Sequence, residues 1–191
     1  MVEVKYADIY GKTFRQNATI QPGSSVRISA TMGVLKVGDT GPAGGIIFYD
    51  KGTAADGWRF LEAAPTEQST GIQWYNGNYI DIKGAVATGI GTGKANTATI
   101  IAAQGPGSYA ASLCDSLVIG DYDDWFLPSK DELNLMYTNL KKAGLGGFGG
   151  SWFWSSYQNN NFIAWGQDFS DGHQGNDDKY VKNSVRACRA F

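Results

Sequence analysis

The sequence is poor in the residues that build metal centres, disulfide frameworks and most hydrolytic active sites. Its 191 residues include two cysteines and one histidine. Cys114 and Cys188 allow one disulfide bond or two free thiols, and the sequence leaves both open. His173 lies outside any nucleophile or metal-binding motif. We therefore expect no catalytic residue, no metal site, no cofactor and no enzymatic activity.

The sequence also has no large excess of acidic or basic residues and no long apolar segment. The formal net charge is -2, which gives no basic surface of the kind that binds nucleic acid. No run approaches the roughly 18 apolar residues that a membrane-spanning helix needs. Residues 1–5 lack the apolar run of a signal peptide. We expect either a cytoplasmic protein or a chain from which a leader has been removed.

Glycine and aromatic residues, by contrast, are plentiful. The chain holds 26 glycines, and 13% of its residues are aromatic. This combination indicates many turns and ordered loops around a packed core rather than disorder. Residues 1–36 alternate only weakly, with strand character at 19–20 and 26–30 around a turn at Pro22. They are predicted to be an N-terminal β extension or linker, followed by one domain over 37–191.

Hydrophobic periodicity in the main domain predicts strands, then helices, then strands. The predicted strands are 45–49, 57–65, 151–156 and 184–191. The predicted helices are 94–103, a short one around Cys114, and one from Ser129 to Gly144. Ser129 and Glu132 have the spacing of a capping box, so the third helix has the strongest local signal. This order predicts an α+β fold.

Several segments together resemble a known bacterial domain. They are "GDTGPAGGIIFYDKG", "GWRFLEAAP", "IGTGKANT", "AASLCDSLVIGDYDDWFLPSKDELNLMY" and "FWSS…SVRACRAF". The family pattern reads GYSDWRLPT-x-x-EL…YWSS…VRCVR, and here Phe126 stands in place of the usual Arg. The resemblance covers about 37–191 and implies a C-type lectin-like fold of the formylglycine-generating-enzyme branch. Such a fold has two or three helices packed on small antiparallel sheets.

The C-terminal region, about 154–191, resembles the variable region of proteins diversified by retroelements, most closely the Treponema-type members. In that family a reverse transcriptase copies a template repeat, changes only adenines, and the copy replaces the 3′ end of the gene. Template Asn codons then give many residues, but never Gln, Lys, Glu, Trp or Met. The resemblance therefore implies massive sequence variation at some positions and fixed residues at others.

The residues of this region fall into two sets, partly by that rule and partly by the regular pattern of some neighbours. The variable set contains only reachable residues: Tyr157, Asn159, Asn160, Asn161, Phe162, Ile163, Gly166, Asp168, Asp171, His173, Gly175, Asn176, Asp177, Asp178, Tyr180, Val181 and Asn183. The frame set contains the unreachable residues and their regular neighbours: Trp154, Ser155, Ser156, Gln158, Ala164, Trp165, Gln167, Phe169, Ser170, Gly172, Gln174, Lys179 and Lys182. An ordinary Asn/Asp/Gly-rich loop is the alternative. Phe162 and Ile163 disfavour it, because solvated loops rarely select such residues.

The resemblance implies a ligand-binding protein of receptor or adhesin type with a diversified surface. Its partner would be a protein on a host or neighbouring cell. It would be displayed at the cell surface as an outer-membrane lipoprotein, through a lipid anchor absent from this chain.

Two alternatives stay open. One is a fixed-specificity carbohydrate-binding lectin-like module, although the chain lacks the Glu-Pro-Asn, Gln-Pro-Asp and Trp-Asn-Asp calcium motifs. The other is an enzyme of the formylglycine-generating type, which needs a reactive cysteine pair. The polar stretch from Asp168 does not have calcium-loop spacing, since its twelfth residue is Lys179 rather than Glu.

Overall fold

The computed structural model describes residues 2–7, 13–18 and 35–191. The chain divides into two compact units, Met1–Leu35 and Lys36–Phe191. In the first unit, β1 (Val2–Ala7) pairs antiparallel with β2 (Thr13–Ala18). The strand character predicted at 19–20 and 26–30 lies outside the described residues.

The second unit has the predicted order of strands, helices and strands, which confirms the α+β fold. Its strands are β3 (Ile46–Asp50), β4 (Phe60–Ala63), β5 (Ser69–Ile72), β6 (Trp152–Gln158), β7 (Ile163–Asp168), β8 (Gln174–Asp178), β9 (Asn183–Val185) and β10 (Cys188–Ala190). Its helices are α1 (Gly93–Gln104), α2 (Ala110–Asp115) and α3 (Lys130–Asn139). Among the described residues, no helix has both the length and the apolar character needed to span a bilayer.

The strands of this unit form two sheets. The smaller sheet has the order β10-β4-β3 and is antiparallel throughout. The larger sheet has the order β5-β9-β6-β7-β8. Its β6 and β9 run parallel, with Phe153 opposite Ser184, whereas its other pairs are antiparallel. The predicted small antiparallel sheets are present, with this one parallel pair as the exception.

The predicted strand at 184–191 is two short strands in different sheets. The chain passes from β9 to β10 through Arg186 and Ala187, and the buried Arg186 side chain holds this crossing. Its guanidinium donates to the carbonyl oxygens of Ala64, Pro65 and Gly146 at 2.5, 2.8 and 2.7 Å. These three acceptors belong to other segments, so the break is set by long-range contacts that periodicity does not reveal.

The core consists of two buried clusters. The first surrounds Trp74, Trp125 and Trp154 and takes in helices α1 and α2. The second lies beneath α3 and includes Met136 and Phe169. Val185 and Ala187 belong to the first cluster and Cys188 to the second.

The cysteines are free, which corrects the possible disulfide between Cys114 and Cys188. Cys114 packs in the first cluster and Cys188 in the second, and each is fully buried. Burial raises the pKa of both thiols well above the ordinary value. They therefore act as small apolar core residues.

The capping box predicted for α3 is confirmed. The Glu132 carboxylate accepts from the backbone N–H of Ser129 at 2.7 Å, and Ser129 Oγ accepts from the N–H of Glu132 at 3.2 Å. Glu132 also accepts from the N–H of Gly91 at 2.7 Å. The residues at the centre of the "DWFLPSKDEL" motif thus join α3 to the loop before α1, which is a structural role.

Candidate binding surface on the C-terminal hairpin

The β7–β8 hairpin carries most of the variable set. Its strands pair from Ile163 opposite Asp178 to Gln167 opposite Gln174. β8 is the edge strand of the larger sheet, while β7 also pairs with β6. The β6–β7 register shifts between Trp154 and Gln158. A bulge of this kind disrupts the ladder and twists the strand locally, just before the loop at 159–162.

The variable set lies almost entirely at the surface. Every member except Gly166 and Asn183 is exposed or partly exposed. Two of its large apolar side chains are strongly exposed, with Phe162 at 53% and Tyr180 at 60%. Such exposure is unusual for aromatic residues that serve only packing.

The frame set is mostly buried. Its buried members are Trp154, Ser155, Ser156, Gln158, Ala164, Gln167, Phe169 and Lys179. Trp165, Gly172 and Gln174 are partly buried, whereas Ser170 and Lys182 are exposed. The two sets are interleaved along the chain and differ in depth, apart from the buried Gly166 and Asn183 of the variable set and the exposed Ser170 and Lys182 of the frame set.

Lys179 and Gln158 fasten the hairpin to the preceding loop. The Lys179 ammonium donates to Gln158 Oε1 at 2.7 Å and to the Ile80 carbonyl at 3.2 Å, and lies 4.6 Å from the centre of the Trp74 ring. Gln158 in turn donates to Asp81 Oδ1 at 3.0 Å. Burial lowers the pKa of Lys179 to about 8. Lysine and glutamine usually lie at protein surfaces, but Lys179 and Gln158 are interior anchors here.

Further frame residues satisfy the buried backbone around the hairpin. Trp154 Nε1 donates to the Ile72 carbonyl at 2.9 Å, and Ser155 Oγ donates to the Trp165 carbonyl at 2.9 Å. The Gln167 amide donates to Asn134 Oδ1 at 3.0 Å and to the Gly172 carbonyl at 3.1 Å. Buried polar side chains are stable only with such partners. Their identity is therefore constrained.

Two aromatic residues that sequence reasoning missed belong to the same surface. Tyr75 and Tyr79 lie in the loop after β5, with ring centres 4.9 Å apart. The Tyr79 ring is 5.2 Å from that of Phe162, and its hydroxyl donates to Asp178 at 2.6 Å. This hydrogen bond raises the pKa of Tyr79. The only sequence signal was a pair of tyrosines flanking the turn at Asn76–Gly77.

The rest of the hairpin has its own aromatic contacts. The Tyr157 and Trp165 rings meet edge-on at 6.2 Å, and the Lys130 ammonium lies 3.9 Å from the centre of the Trp165 ring. The exposed His173 ring lies 5.9 Å from that of Trp152. The surface is thus bordered by aromatic residues at both ends.

The β7–β8 turn is held by its own side chains. Asp168 Oδ1 accepts from the Ser170 N–H at 2.8 Å, and Asp171 Oδ1 accepts from the His173 N–H at 2.8 Å. The hydrogen bonds from Ser170 lower the pKa of Asp168. These carboxylates order the turn. In the described part of the chain, no three His, Cys, Asp or Glu side chains are grouped to hold a metal ion.

Gly166 and Asn183 differ from the rest of the variable set. A Cβ atom on Gly166 would lie 3.0 Å from the Phe153 carbonyl oxygen and 3.3 Å from the Trp152 ring. The Asn183 side chain is buried and donates to Asp177 Oδ2 at 3.1 Å. By position, both resemble frame residues, so their variability remains a prediction that the packing does not favour.

Comparison with known proteins adds no relative. No protein-family model matches the chain, and no curated protein matches it. The geometry of the hairpin and the resemblance described above are therefore the grounds for a functional proposal.

Proposed function

We propose that the protein is a receptor- or adhesin-type binding protein displayed at a cell surface. Its C-terminal surface is diversified by adenine-directed retroelement mutagenesis and binds a protein ligand. The scaffold has the C-type lectin-like architecture that the resemblance implies. Apart from Gly166 and Asn183, the variable set forms the binding surface.

One observation carries the proposal: apart from Gly166 and Asn183 the variable set is exposed or partly exposed, whereas eight of the thirteen frame residues are buried. The codon rule by itself concerns the seven unreachable residues, of which Trp154, Gln158, Gln167 and Lys179 are buried. Exposed substitutions usually change stability by no more than about 0.5 kcal/mol, whereas a buried polar group left without its partner costs about 1–3 kcal/mol. Mutagenesis confined to the variable set would therefore preserve the fold.

The side-chain chemistry of the surface is suited to binding a protein. Tyr157, Phe162 and Tyr180 offer large contact areas with few rotatable bonds, as the aromatic residues of antibody binding sites do. Asn159, Asn160 and other asparagines offer both donors and acceptors. The strands and the Lys179 anchor hold the backbone before contact, which lowers the ordering cost of association.

The enzyme alternative receives no support from the cysteines. Both thiols are fully buried, and burial raises their pKa values. A reactive cysteine needs an accessible thiolate, and neither group meets that condition. The binding-protein proposal uses neither cysteine.

The proposal can be tested with two matched libraries displayed on yeast. The first randomises five exposed positions, Asn160, Phe162, His173, Asn176 and Tyr180. The second randomises five buried ones, Ser155, Ser156, Gln158, Gln167 and Lys179. Resistance to protease measures folding, and selection against a panel of unrelated proteins and glycans measures binding.

We expect most clones of the exposed library to remain protease-resistant and to yield binders to several proteins. Most clones of the buried library should be cleaved. Equal losses of folded clones in the two libraries would contradict the proposed separation of scaffold and binding surface. Binders confined to glycans would favour the lectin-like alternative.

A further inference from the structure

Exposed aromatic side chains concentrate at one place on the second unit. Within residues 35–191, the aromatic residues among the exposed large hydrophobics are Tyr79, Phe162 and Tyr180, with exposures of 39%, 53% and 60%. Tyr79 Oη and the Tyr180 N–H both donate to the same atom, Asp178 Oδ1, at 2.6 and 3.1 Å. With Tyr75, which packs on Tyr79, these residues form what we call the aromatic patch.

The surroundings of the aromatic patch are acidic. Residues 157–178 contain no lysine or arginine; of their aspartates, Asp177 and Asp178 lie at the patch end of the hairpin, whereas Asp168 and Asp171 lie in the turn at its opposite end. Asp81 is exposed in the adjoining loop. Lys179 follows the hairpin, but its ammonium points inward to Gln158. The nearest exposed lysines in sequence, Lys83 and Lys182, lie on the flanking segments.

Cations elsewhere in this unit already lie over aromatic rings. The Arg186 guanidinium is 4.6 Å from the centre of the Phe148 ring, and that of Arg189 is 4.3 Å from the Tyr122 ring centre. Lys51 similarly covers Trp58 at 3.9 Å. Within residues 35–191, no such contact covers a ring of the aromatic patch. Its exposed faces, beside several carboxylates, are therefore suited to a cation supplied from outside.

We propose that the aromatic patch docks a basic protein surface, one that presents arginine or lysine side chains. The cations would stack on Phe162 and Tyr180 and approach Asp81, Asp177 and Asp178. Tyr75 and Tyr79 lie outside the variable region, so they provide a constant part of the contact. This inference rests on the proposed function and adds the class of partner to it.

A random peptide library displayed on phage can test the partner class. The full chain is immobilised at low ionic strength, and the Lys and Arg content of enriched peptides is compared with that of the unselected library. The strongest peptide is then measured against the variants Phe162→Ala, Tyr180→Ala and Asp178→Asn. Val118→Ala and Asp123→Asn serve as controls, because both residues are exposed outside the patch and the hairpin.

We expect enriched peptides to be net positive and rich in arginine. Loss of either aromatic ring should weaken binding about tenfold, and Asp178→Asn should weaken it about threefold with a smaller salt dependence. The controls should bind like the unchanged chain. Enrichment of neutral or acidic peptides, or equal weakening by the controls, would overturn the inference. The inference would also be overturned if no peptide were enriched and the chain instead bound a glycan array through Phe162 and Tyr180.

Failure of this inference is distinguishable from failure of the proposed function. The peptide selection uses one unmutated chain and reports only which partners its present surface accepts. The paired libraries report whether that surface tolerates diversification. If basic peptides are enriched but the exposed library does not fold, the partner class is supported and diversification is not. If the exposed library folds but the enriched peptides are neutral, diversification is supported and the partner class is not.

Discussion

Carboxylates serve different purposes at the start of α3 and on the β7–β8 hairpin. Glu132 is fully buried and accepts from the backbone of two separate segments, at Ser129 and at Gly91. Asp168 and Asp171 lie at the surface and accept from N–H groups two residues further along. The first arrangement joins distant parts of the chain, while the second orders only its own turn. Similar chemistry is thus constrained in one region and replaceable in the other.

The ion pairs of the smaller sheet extend this contrast. Arg189 contacts Glu62 at 2.7 Å and Asp124 at 2.6 Å, and Glu62 is fully buried. Burial raises the pKa of Glu62 despite its arginine partner. A buried pair of this kind fixes the identity of both members, because removal of one leaves the other uncompensated. The hairpin carboxylates bear no comparable constraint.

The largest effect should come from Arg189→Met. The variant leaves Glu62 buried without its cation, so we expect the free energy of unfolding to fall by about 3–5 kcal/mol. Chemical denaturation followed by tryptophan fluorescence measures this. Lys182→Met is the control, since the exposed lysine should change stability by less than about 0.5 kcal/mol. If Arg189→Met lowers the free energy of unfolding by less than about 1 kcal/mol, the buried ion pairs are no more constrained than the hairpin carboxylates.

Gly166→Ala sharpens the border between the two sets. Its new methyl group would meet the Phe153 carbonyl oxygen at 3.0 Å, so we expect a loss of about 1–3 kcal/mol. Gly175→Ala, in the paired position on β8, is the matched control. Its nearest neighbours are the Trp152 and His173 side chains at 3.3 and 3.5 Å, which can shift. If the two variants were equally stable, Gly166 would tolerate substitution and would belong with the variable surface.

Lys179→Met tests whether a charged frame residue is truly interior. Burial depresses the pKa of Lys179 to about 8, so the folded chain carries the cost of its charge fully at pH 7. Above pH 8 the folded amine loses its proton before the unfolded one does, which relieves that cost. The stability of the unchanged chain relative to Lys179→Met should therefore rise by about 2 kcal/mol between pH 7 and pH 9.5. If the difference in free energy of unfolding between the two chains did not change with pH, the Lys179 ammonium would lie in solvent.

The smallest effects should come from the hairpin surface. Phe162→Asn and Asn176→Tyr exchange exposed side chains within the reachable set, and each should change the free energy of unfolding by at most about 0.5 kcal/mol. Thermal melts monitored by circular dichroism are sufficient to detect a larger change. A loss of 2 kcal/mol at either position would mean that the surface takes part in folding.

Local signals made part of this fold predictable. The α3 capping box depends on only four consecutive residues. The approximate limits of α1 follow from the spacing of apolar residues within the helix. The break between β9 and β10 was missed because Arg186 finds its acceptors more than 100 residues away in the case of Ala64 and Pro65. The inward turn of Lys179 was likewise invisible, since its partners lie on other segments.

For the site, the codon rule supplied the candidate positions, but only the fold gave their depth. The contact of Tyr79 with Phe162 and Asp178 joins segments separated by a long stretch of chain. No periodicity or motif encodes such a meeting. At Gly166 the codon rule alone is misleading, because the rule permits variation there while the crowded packing leaves little room for a side chain.

The most direct test of the central claim is the DNA sequence beside the gene. We expect a near-copy of the codons for about 154–191 next to a reverse transcriptase gene. It should carry adenines where it differs, at codons such as those for Asn160, Phe162 and Tyr180, and should match the gene at those for Trp154 and Lys179. Absence of a copy, or a copy that differs at the codons of buried frame residues, would contradict the account and leave a surface of fixed specificity.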